Sequence, residues 1–449
     1  MVSDSGGRVS APATIDRTDF VIPFPPETTA DTGLSPESIA ELLLKTLYVQ
    51  GARSGQELVA SIGLPFSIVD EQLVQLQQQR LIEVKRTAGA GRGGYIFDLT
   101  SAGGDRAREA MAAGQYVGPA PVTLEYYRSW IEQQSIRHVH VTRERLLAAF
   151  SHMVLDPEFI EGFGPAVNSA KSLFIFGDSG NGKTMIAEVL ARLLGGVYYL
   201  PYAVDIGGQI MVVHDPVYHR PASEQTSGSP DDPEWLRDVP EYDRRFARVE
   251  RPVVLTGGEL TLEQLDLQYD RDTKMYQAPF QVKANGGVLI LDDFGRQRVP
   301  PRDLLNRWIL PLEKRIDFLT LHTGSKFPVP FESLLIFATN LDPGDLVEEA
   351  FLRRIHYKVR TDSPSRLQYE EIFRRCAKLQ GLTYRAEAVA QVYRDFYDAR
   401  GIAPRSCHPR DLIDHVCDFA RFHTVEPTLS PELIDRACRS YFLDASKRL

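Results

Sequence analysis

The stretch SLFIFGDSGNGKT, residues 172–184, joins a short apolar run to a glycine-rich loop. Its first part, Leu173–Phe176, suits a buried parallel strand, and the apolar spacing after the loop predicts a helix. In this strand–loop–helix context the pattern G-x-x-x-x-G-K-T predicts a phosphate-binding loop (P-loop) rather than a chance glycine turn. The loop consists of Gly177, Asp178, Ser179, Gly180, Asn181, Gly182, Lys183 and Thr184.

The residue types of the P-loop indicate what it can bind. Glycines let the backbone turn tightly, so that successive N–H groups point at phosphate oxygens near the N-terminus of the following helix. Lys183 is expected to reach the outer phosphates, and the Thr184 hydroxyl is expected to ligate Mg²⁺. The loop therefore predicts binding of a nucleoside triphosphate with Mg²⁺.

A second motif, GGVLILDDFG at residues 286–295, places two carboxylates after an apolar run. Val288–Leu291 predicts a buried strand, which we expect beside the P-loop strand, with Asp292 and Asp293 at its carboxyl end. Acidic residues often follow strands by chance, but in a chain with a P-loop the pair favours a metal site. One of the two carboxylates could then hold Mg²⁺, directly or through water, and the other could orient a water molecule for attack on the γ-phosphate.

A third apolar run, SLLIFATN at residues 333–340, ends in an amide side chain. Asn340 has two interpretations: it contacts the terminal phosphate or the attacking water, or it is an ordinary turn residue after a strand. The run Val197–Val204 predicts a further strand. The second and third motifs thus put polar side chains, Asp292 with Asp293 and Asn340, at the ends of two predicted strands.

The composition limits the classes of function. With 449 residues the chain is too long for one compact core, and its 43% hydrophobic and 25% charged residues are typical of a soluble protein. A net charge of −9 argues against nucleic-acid binding over the whole surface. The absence of a signal peptide and of an apolar run long enough for a membrane helix favours the cytoplasm, where the four cysteines are expected to be free thiols.

Changes in composition and periodicity divide the chain. Residues 1–33, rich in Ser, Thr, Gly and Pro, predict a flexible arm. Helical patterns around two strand-like runs predict a winged helix-turn-helix domain at residues 34–115. Three further parts are expected to follow: a linker, an α/β nucleotide-binding domain with an insertion at about 205–286, and a helical lid domain, at residues 116–141, 142–362 and 363–449.

The winged helix-turn-helix domain is compatible with two kinds of partner. DNA binding would place its third helix in a groove and Lys85, Arg86 and Arg92 of the wing on phosphates. The third helix, however, carries Asp70 and Glu71, and the charges of the domain nearly cancel. DNA contact and protein contact both stay open.

The motifs occur in an order that resembles AAA+ ATPases: GDSGNGKT, VLILDDFG, a strand ending in TN, FLRRI, and HPRDL in a helical tail. The resemblance covers about residues 142–449 and implies an α/β fold, with a P-loop parallel sheet flanked by helices and a C-terminal helical lid. ANGGVLILDDFGRQ followed by LLNRWILPLEKR is similar to the branch that contains MoxR proteins, magnesium-chelatase motor subunits and enhancer-binding activators. Because an N-terminal winged helix is not typical of that branch, the subfamily stays open.

The resemblance implies that the P-loop is the Walker A motif, which binds ATP, and that Asp292 is the Walker B residue that holds Mg²⁺. Asn340 would be sensor 1, and Arg410 would be sensor 2, which reaches the γ-phosphate from the lid. Asp293 stands where the family usually has glutamate. Its shorter reach predicts slow hydrolysis, because small errors in position lower catalytic rates strongly.

The resemblance also implies an arginine finger, supplied to the site of a neighbouring subunit by Arg354 or else by Arg353. It therefore implies a homo-oligomeric ring, expected to be hexameric, that uses Mg-ATP to remodel an unidentified macromolecular partner recruited through the winged helix. The alternative function is an ATP-dependent DNA-binding switch, a regulator or loader, with hydrolysis as a slow reset.

Overall fold

The computed structural model describes residues 21–87, 89, 91–222, 241–346 and 352–442. The first 20 residues of the predicted arm lie outside the described residues. Within the described part, the chain forms an N-terminal unit, a central parallel sheet, a second β unit beside it and a C-terminal helical unit.

The N-terminal unit has the element order of a winged helix-turn-helix. Its elements are α1 Pro36–Gln50, β1 Arg53–Ser54, α2 Gly55–Ile62, α3 Phe66–Gln78, β2 Ile82–Thr87, β3 Tyr95–Leu99 and α4 Ser101–Ala113. The strands form an antiparallel sheet in the order β1-β3-β2. Local sequence sets the helix ends: Ser54 and Glu57 form a capping box at the start of α2, and Gly63 ends that helix with a φ of 68°. The helices and the hairpin of this unit thus follow the order that the sequence predicts, and its use as a winged helix-turn-helix stays a prediction.

The rest of the described chain alternates between strands and helices. Its strands are β4 Val122–Thr123, β5 Leu173–Phe176, β6 Val197–Pro201, β7 Ala203–Ile206, β8 Gln209–Val212, β9 Phe246–Glu250, β10 Val253–Thr256, β11 Gln268–Asp270, β12 Met275–Gln277, β13 Val288–Leu291, β14 Ile316–Thr320, β15 Lys326–Pro330, β16 Leu334–Thr339 and β17 Tyr357–Arg360. Its helices are α5 Leu124–Gln133, α6 Arg143–Ala149, α7 Pro157–Glu161, α8 Gly164–Ser169, α9 Lys183–Leu193, α10 Phe280–Lys283, α11 Pro301–Lys314, α12 Pro343–Leu346, α13 Arg366–Leu379, α14 Ala386–Val392, α15 His408–His423 and α16 Pro431–Tyr441.

The central sheet has five parallel strands in the order β10-β13-β16-β5-β17. Alternate side chains of these strands enter two separate cores, one with α6 to α9 and the other with α11. Ile290 belongs to the first core, whereas Leu289 and Trp308 belong to the second. Burial on both faces explains why the strands are continuous apolar runs. The predicted α/β fold with a parallel sheet flanked by helices is confirmed.

Two details of the sheet differ from the predictions. The strand that ends at Asp292 is not beside the P-loop strand, because β16 pairs with both β13 and β5 and lies between them. The run Val197–Val204 is divided between β6 and β7, and neither joins the central sheet. The edge of the central sheet next to β13 is formed by β10, which lies inside the predicted insertion.

The second β unit connects the N-terminal unit to the central sheet. Its mixed sheet has the order β11-β12-β8-β7-β4. One face of this sheet, with Ala203, Ile210 and Met275, packs on the N-terminal unit. The other face, with Val204 and Met211, packs in a core shared with α5 and the hairpin β14–β15. The second β unit, to which the predicted insertion contributes β8, β11 and β12, therefore forms a layer between the N-terminal unit and the core that contains α5.

Residues 21–33, the described part of the predicted arm, pack against the second β unit. The carbonyl of Pro23 accepts a hydrogen bond from the Asp243 N–H at 2.8 Å, and the carbonyl of Thr32 accepts one from Arg245 at 3.2 Å. Arg245 and Asp243 are 1% and 0% exposed and form an ion pair at 2.7 Å. A buried ion pair thus fixes this segment.

Replacing Arg245 with methionine is expected to lower the free energy of unfolding by about 3 to 5 kcal/mol, because Asp243 would stay buried without a counter-charge. Urea denaturation followed by circular dichroism measures the change. The control is the double variant Arg245→Met, Asp243→Leu, in which removal of both charges should restore most of the stability. Equal losses in the single and double variants would contradict the argument.

The C-terminal unit is all-helical, as predicted. Helices α13 to α16 surround one core, and a π-helical segment, Tyr393–Asp398, continues α14. The four cysteines lie in this unit as free thiols. None of the helices in the described part is long and apolar enough to cross a membrane.

Candidate functional site

The P-loop lies between β5 and α9, at the carboxyl edge of the central sheet. Gly177, Gly180 and Gly182 have φ values of 133°, 87° and 80°, which residues with a Cβ rarely adopt. A Cβ at Gly177 would also lie 2.2 Å from the carbonyl oxygen of Thr361. Because α9 begins at Lys183, the unpaired N–H groups of its first turn border the loop. Backbone of this shape is suited to binding phosphate.

The Lys183 ammonium group folds back over the loop. It donates hydrogen bonds to the carbonyl oxygens of Gly177 and Asp178, each at 2.9 Å. Burial lowers the pKa of Lys183, and the nearby carboxylates of Asp292 and Asp293 act in the opposite direction. A buried cation with only carbonyl partners would gain by exchanging them for charged phosphate oxygens.

Thr184 and Asp292 meet across the sheet edge even though β16 separates their strands. The Thr184 hydroxyl donates to Asp292 Oδ2 at 2.7 Å. A hydroxyl and a carboxylate are hard oxygen ligands of the kind that Mg²⁺ prefers. These two side chains therefore fit a magnesium ion shared between the P-loop and the end of β13.

Asp293 has a left-handed backbone conformation, with a φ of 48°. Its N–H donates to Asp292 Oδ1 at 3.0 Å, and its side chain is exposed. Aspartate and asparagine tolerate this conformation better than longer side chains do, because their short polar groups bond locally. The conformation gives a physical reason for aspartate at this position.

Asn340 follows β16, at the sheet edge that also carries the P-loop and Asp292. Its Oδ1 atom is buried and has no hydrogen-bond partner among the described residues. Buried polar atoms are normally paired, so this oxygen is available to a water molecule or a ligand at the sheet edge. This favours the functional interpretation of Asn340 over a simple turn residue.

Arg354 lies at the opposite end of the sheet from the P-loop. Its carbonyl accepts a hydrogen bond from the Ser172 hydroxyl, just before β5 begins, whereas the P-loop starts after β5 ends. At about 3.3 Å per residue, these two points are about 16 Å apart. The Arg354 guanidinium pairs with Glu313 at 2.6 Å, and Arg353 precedes it in the chain. Neither arginine is placed to serve the P-loop of its own subunit.

Arg410, the predicted lid arginine, does not contact the P-loop. Its guanidinium is 61% exposed and forms an ion pair with Asp411 at 3.0 Å, and this hydrogen bond raises the pKa of Arg410. The described structure thus brings the P-loop, Asp292, Asp293 and Asn340 together but leaves Arg410 outside the group.

A different arginine of the lid borders the P-loop. The N–H of Cys407 donates to the carbonyl of Gly180 at 2.9 Å, and the N–H of Ser406 donates to Asn181 Oδ1 at 3.2 Å. Arg405 comes directly before them, and its positive charge, after burial, contributes to the lowered pKa of Lys183. The sequence analysis missed Arg405. The only available signal was a proline–arginine turn before α15, which says nothing about tertiary contacts.

His408 holds the Arg405 segment from the lid side. Its Nδ1 atom accepts hydrogen bonds from the Tyr397 hydroxyl at 2.9 Å and from the Arg405 N–H at 3.3 Å. Burial, and then the positive charge of Arg405, lower the pKa of His408 from 6.5 to about 4. The neutral imidazole is therefore part of the folded lid.

Stability is expected to fall as the pH decreases from 6.5 to about 4. In this window the unfolded chain binds the proton that folded His408 excludes, so the free energy of unfolding decreases by at most about 3 kcal/mol from this residue. His219, whose pKa burial also lowers to about 4, adds a contribution of the same sign. Denaturation at pH 7.5 and 4.5 should show a smaller loss for His408→Phe than for the wild type; equal losses would contradict the assignment.

The wing of the N-terminal unit has fewer available cations than its sequence suggests. Lys85 forms an ion pair with Asp98, and Arg92 forms one with Asp70 at 2.6 Å. Arg92 also donates to Gln77 on α3 at 3.1 Å. Two of the three wing cations are thus neutralised within the unit, which weakens the electrostatic argument for DNA binding.

Comparisons with known proteins give distant similarities. Residues 365–440 match a family model described as a domain of unknown function, DUF8689. No curated protein matches the chain. The structure of NtrX from Brucella abortus in complex with ATP is 14% identical, with a TM-score of 0.38, over 62% of this chain and 54% of that chain. The structure of the RuvB P216G mutant from Thermotoga maritima is 12% identical, with a TM-score of 0.35, over 69% of this chain and 74% of that chain.

This chain therefore spans about half the length of the NtrX structure that it matches. Similarities at this level carry no argument about activity, and the fold assignment rests on the molecule itself. Five parallel strands place a P-loop, two carboxylates and an amide at one edge, and an all-helical C-terminal unit follows them. The chain therefore has a P-loop α/β fold, in which helices flank a five-stranded parallel sheet and an all-helical unit follows it.

Proposed function

We propose that this protein is an ATPase that binds Mg-ATP at the P-loop and hydrolyses it slowly within an assembly of several copies. The observation that carries the proposal is the hydrogen bond of 2.7 Å between Thr184 and Asp292. It joins the hydroxyl of a residue in the first turn of α9 to the carboxylate that follows β13, at the mouth of a glycine-shaped phosphate nest.

Each group at the sheet edge has a role in this proposal. Lys183 exchanges its carbonyl partners for the outer phosphates, and the first-turn N–H groups of α9 bind phosphate oxygens. Thr184 and Asp292 hold Mg²⁺, which neutralises charge on the outer phosphates when it is bound. Asp293 and Asn340 orient a water molecule on the side of the γ-phosphate.

We further propose that the active form is a ring, expected to be hexameric, in which Arg354 of one copy serves the site of the next. The position of Arg354 at the far end of β5 supports this, because it excludes action within the same subunit. The cycle would remodel a protein partner bound by the N-terminal unit, because two of the three wing cations are neutralised within that unit and DNA phosphates would find few free cations there.

The test compares ATP binding with phosphate release in two variants. Lys183→Ala is expected to weaken ATP binding about 10- to 100-fold, because a charged hydrogen-bond donor is lost. Asp293→Asn should bind ATP normally, since asparagine also tolerates the left-handed conformation, but lower turnover about 10²- to 10⁴-fold. Calorimetry and a phosphate-release assay measure the two quantities. Phosphate release that is unchanged in both variants would contradict the proposal.

A further inference from the structure

A cavity of about 250 Å³ lies between the N-terminal unit and the second β unit. Helices α1 and α4 form one wall. The hairpins β7–β8 and β11–β12 form the opposite wall, and His322, in the turn between β14 and β15, borders it. Cavities for drug-sized ligands are typically about 300–1,000 Å³, so this one suits a smaller molecule.

Two half-buried charged groups on opposite walls of the cavity lack an ionic partner among the described residues. Lys45, on α1, donates to the carbonyl of Gly114 at 3.2 Å, and Asp205, at the β7–β8 turn, accepts from the N–H of Gly208 at 2.7 Å. Among the described residues neither group forms a salt bridge, although both are half-buried. Burial lowers the pKa of Lys45 and raises the pKa of Asp205. Each would gain from a ligand group of opposite charge.

The other ionisable groups of the lining are already engaged. Glu41 pairs with Arg106 at 2.7 Å, and a ring nitrogen of His322 is hydrogen-bonded to the Tyr276 hydroxyl. Lys274 is exposed to solvent and donates to the carbonyl of Ala112. Much of the remaining lining is apolar: Leu34, Leu42, Ile210 and Met275. The cavity thus offers one half-buried cation, one half-buried anion and an apolar surface.

We propose that this cavity binds a free α-amino acid with an apolar side chain, whose carboxylate pairs with Lys45 and whose ammonium group pairs with Asp205. A zwitterion matches the two unpaired charges, and its side chain covers the apolar lining. The proposal is independent of ATP hydrolysis, because none of these residues belongs to the P-loop or the sheet edge.

Calorimetry on the full wild-type chain provides the first test. Leucine, methionine, valine and phenylalanine are compared with isopentylamine and 4-methylpentanoate, which retain the side chain of leucine but only one of its two charges. We expect at least one amino acid to bind with a Kd below about 1 mM, and both analogues to bind at least about tenfold more weakly, since a charged hydrogen bond is worth about that factor. No binding of any amino acid at about 10 mM, or equal binding of the analogues, would overturn the proposal.

Variants then locate the site. Lys45→Met and Asp205→Asn are each expected to weaken amino-acid binding at least about tenfold, with ATP binding unchanged. Lys378→Met and Asp418→Asn, at exposed positions on the lid, are the matched controls and should bind like the wild type. Wild-type affinity in both cavity variants would overturn the assignment of the site. Should either variant fail to fold, the wild-type comparison still decides, because it needs no substitution.

Discussion

Arg354→Ala is expected to lower ATP turnover by about 10³- to 10⁵-fold while ATP affinity stays close to that of the wild type. An arginine delivered to the γ-phosphate stabilises the charge of the transition state and adds little to ground-state binding. Arg354 cannot do this in its own subunit, because its backbone is held at the amino end of β5 by Ser172. A phosphate-release assay with calorimetry of ATP binding separates the two effects.

Mixing subunits tests whether the arginine acts between copies. Lys183→Ala disables the nucleotide site but keeps Arg354, whereas Arg354→Ala keeps the nucleotide site but removes the arginine. In an equimolar mixture, some intact sites meet an intact finger, so measurable activity should return. A mixture as inactive as its components would contradict action in trans. Arg353→Ala is the matched control, and a larger loss in that variant than in Arg354→Ala would exchange the two roles.

The ion pair between Arg354 and Glu313 leads to a prediction for the turnover of a Glu313 variant. The ion pair has a length of 2.6 Å, and both side chains are partly exposed. If Arg354 is the finger, it must leave Glu313 before it can reach a neighbouring site. Glu313→Gln should therefore not lower turnover as Arg354→Ala does, because only the competing partner is weakened.

The parts of the molecule that the sequence predicts well are those set by local pattern. The P-loop, the apolar strands that end at Asp292 and Asn340, and the four lid segments each carry their own periodicity and end signals within a few residues. The winged helix-turn-helix is predictable for the same reason: its caps at Ser54 and Gly63 and its glycine-rich wing are local features.

Features that depend on distant pairing were not predictable. The sequence of β16, Leu334–Thr339, does not indicate that this strand lies between β5 and β13, because the order of strands in the chain does not determine their order in the sheet. The apolar run Val197–Val204 resembles one strand, yet it divides between two pairings outside the central sheet. Similarly, the polar composition of residues 21–33 gives no indication of the Arg245–Asp243 ion pair, far along the chain, that holds them.

The arginine that borders the P-loop was also not predictable, because its position depends on a contact between distant parts of the chain. By motif resemblance Arg410 was the expected residue, but its partner in the structure is Asp411. Arg405 has no recognisable motif, yet the two residues that follow it hydrogen-bond to the P-loop. A residue's distance from the phosphate site depends on how α15 docks, which no local pattern specifies.

Arg405→Ala is accordingly expected to lower kcat/KM for ATP by about 10²- to 10³-fold, the usual cost of removing one preorganised group that stabilises developing charge. Arg410→Ala should stay within about threefold of the wild type, because its ion pair with the neighbouring Asp411 is exposed and such pairs contribute little. Steady-state kinetics with Mg-ATP measures both. Arg405→Lys is the conservative control and should recover part of the activity, since it keeps the positive charge but not the planar geometry.

Comparing the loss of kcat/KM in Arg405→Ala and Arg410→Ala decides which arginine serves the phosphate site, because the two assignments predict opposite results. If Arg410 moved to the phosphate when nucleotide binds, Arg410→Ala would show the large loss and Arg405→Ala the small one. The backbone contacts of Ser406 and Cys407 with Asn181 and Gly180 argue against that exchange, because they tie the Arg405 segment to the P-loop before any ligand arrives. A lid docked in this way places Arg405 at the phosphate site without a rearrangement, whereas Arg410 would first have to leave Asp411.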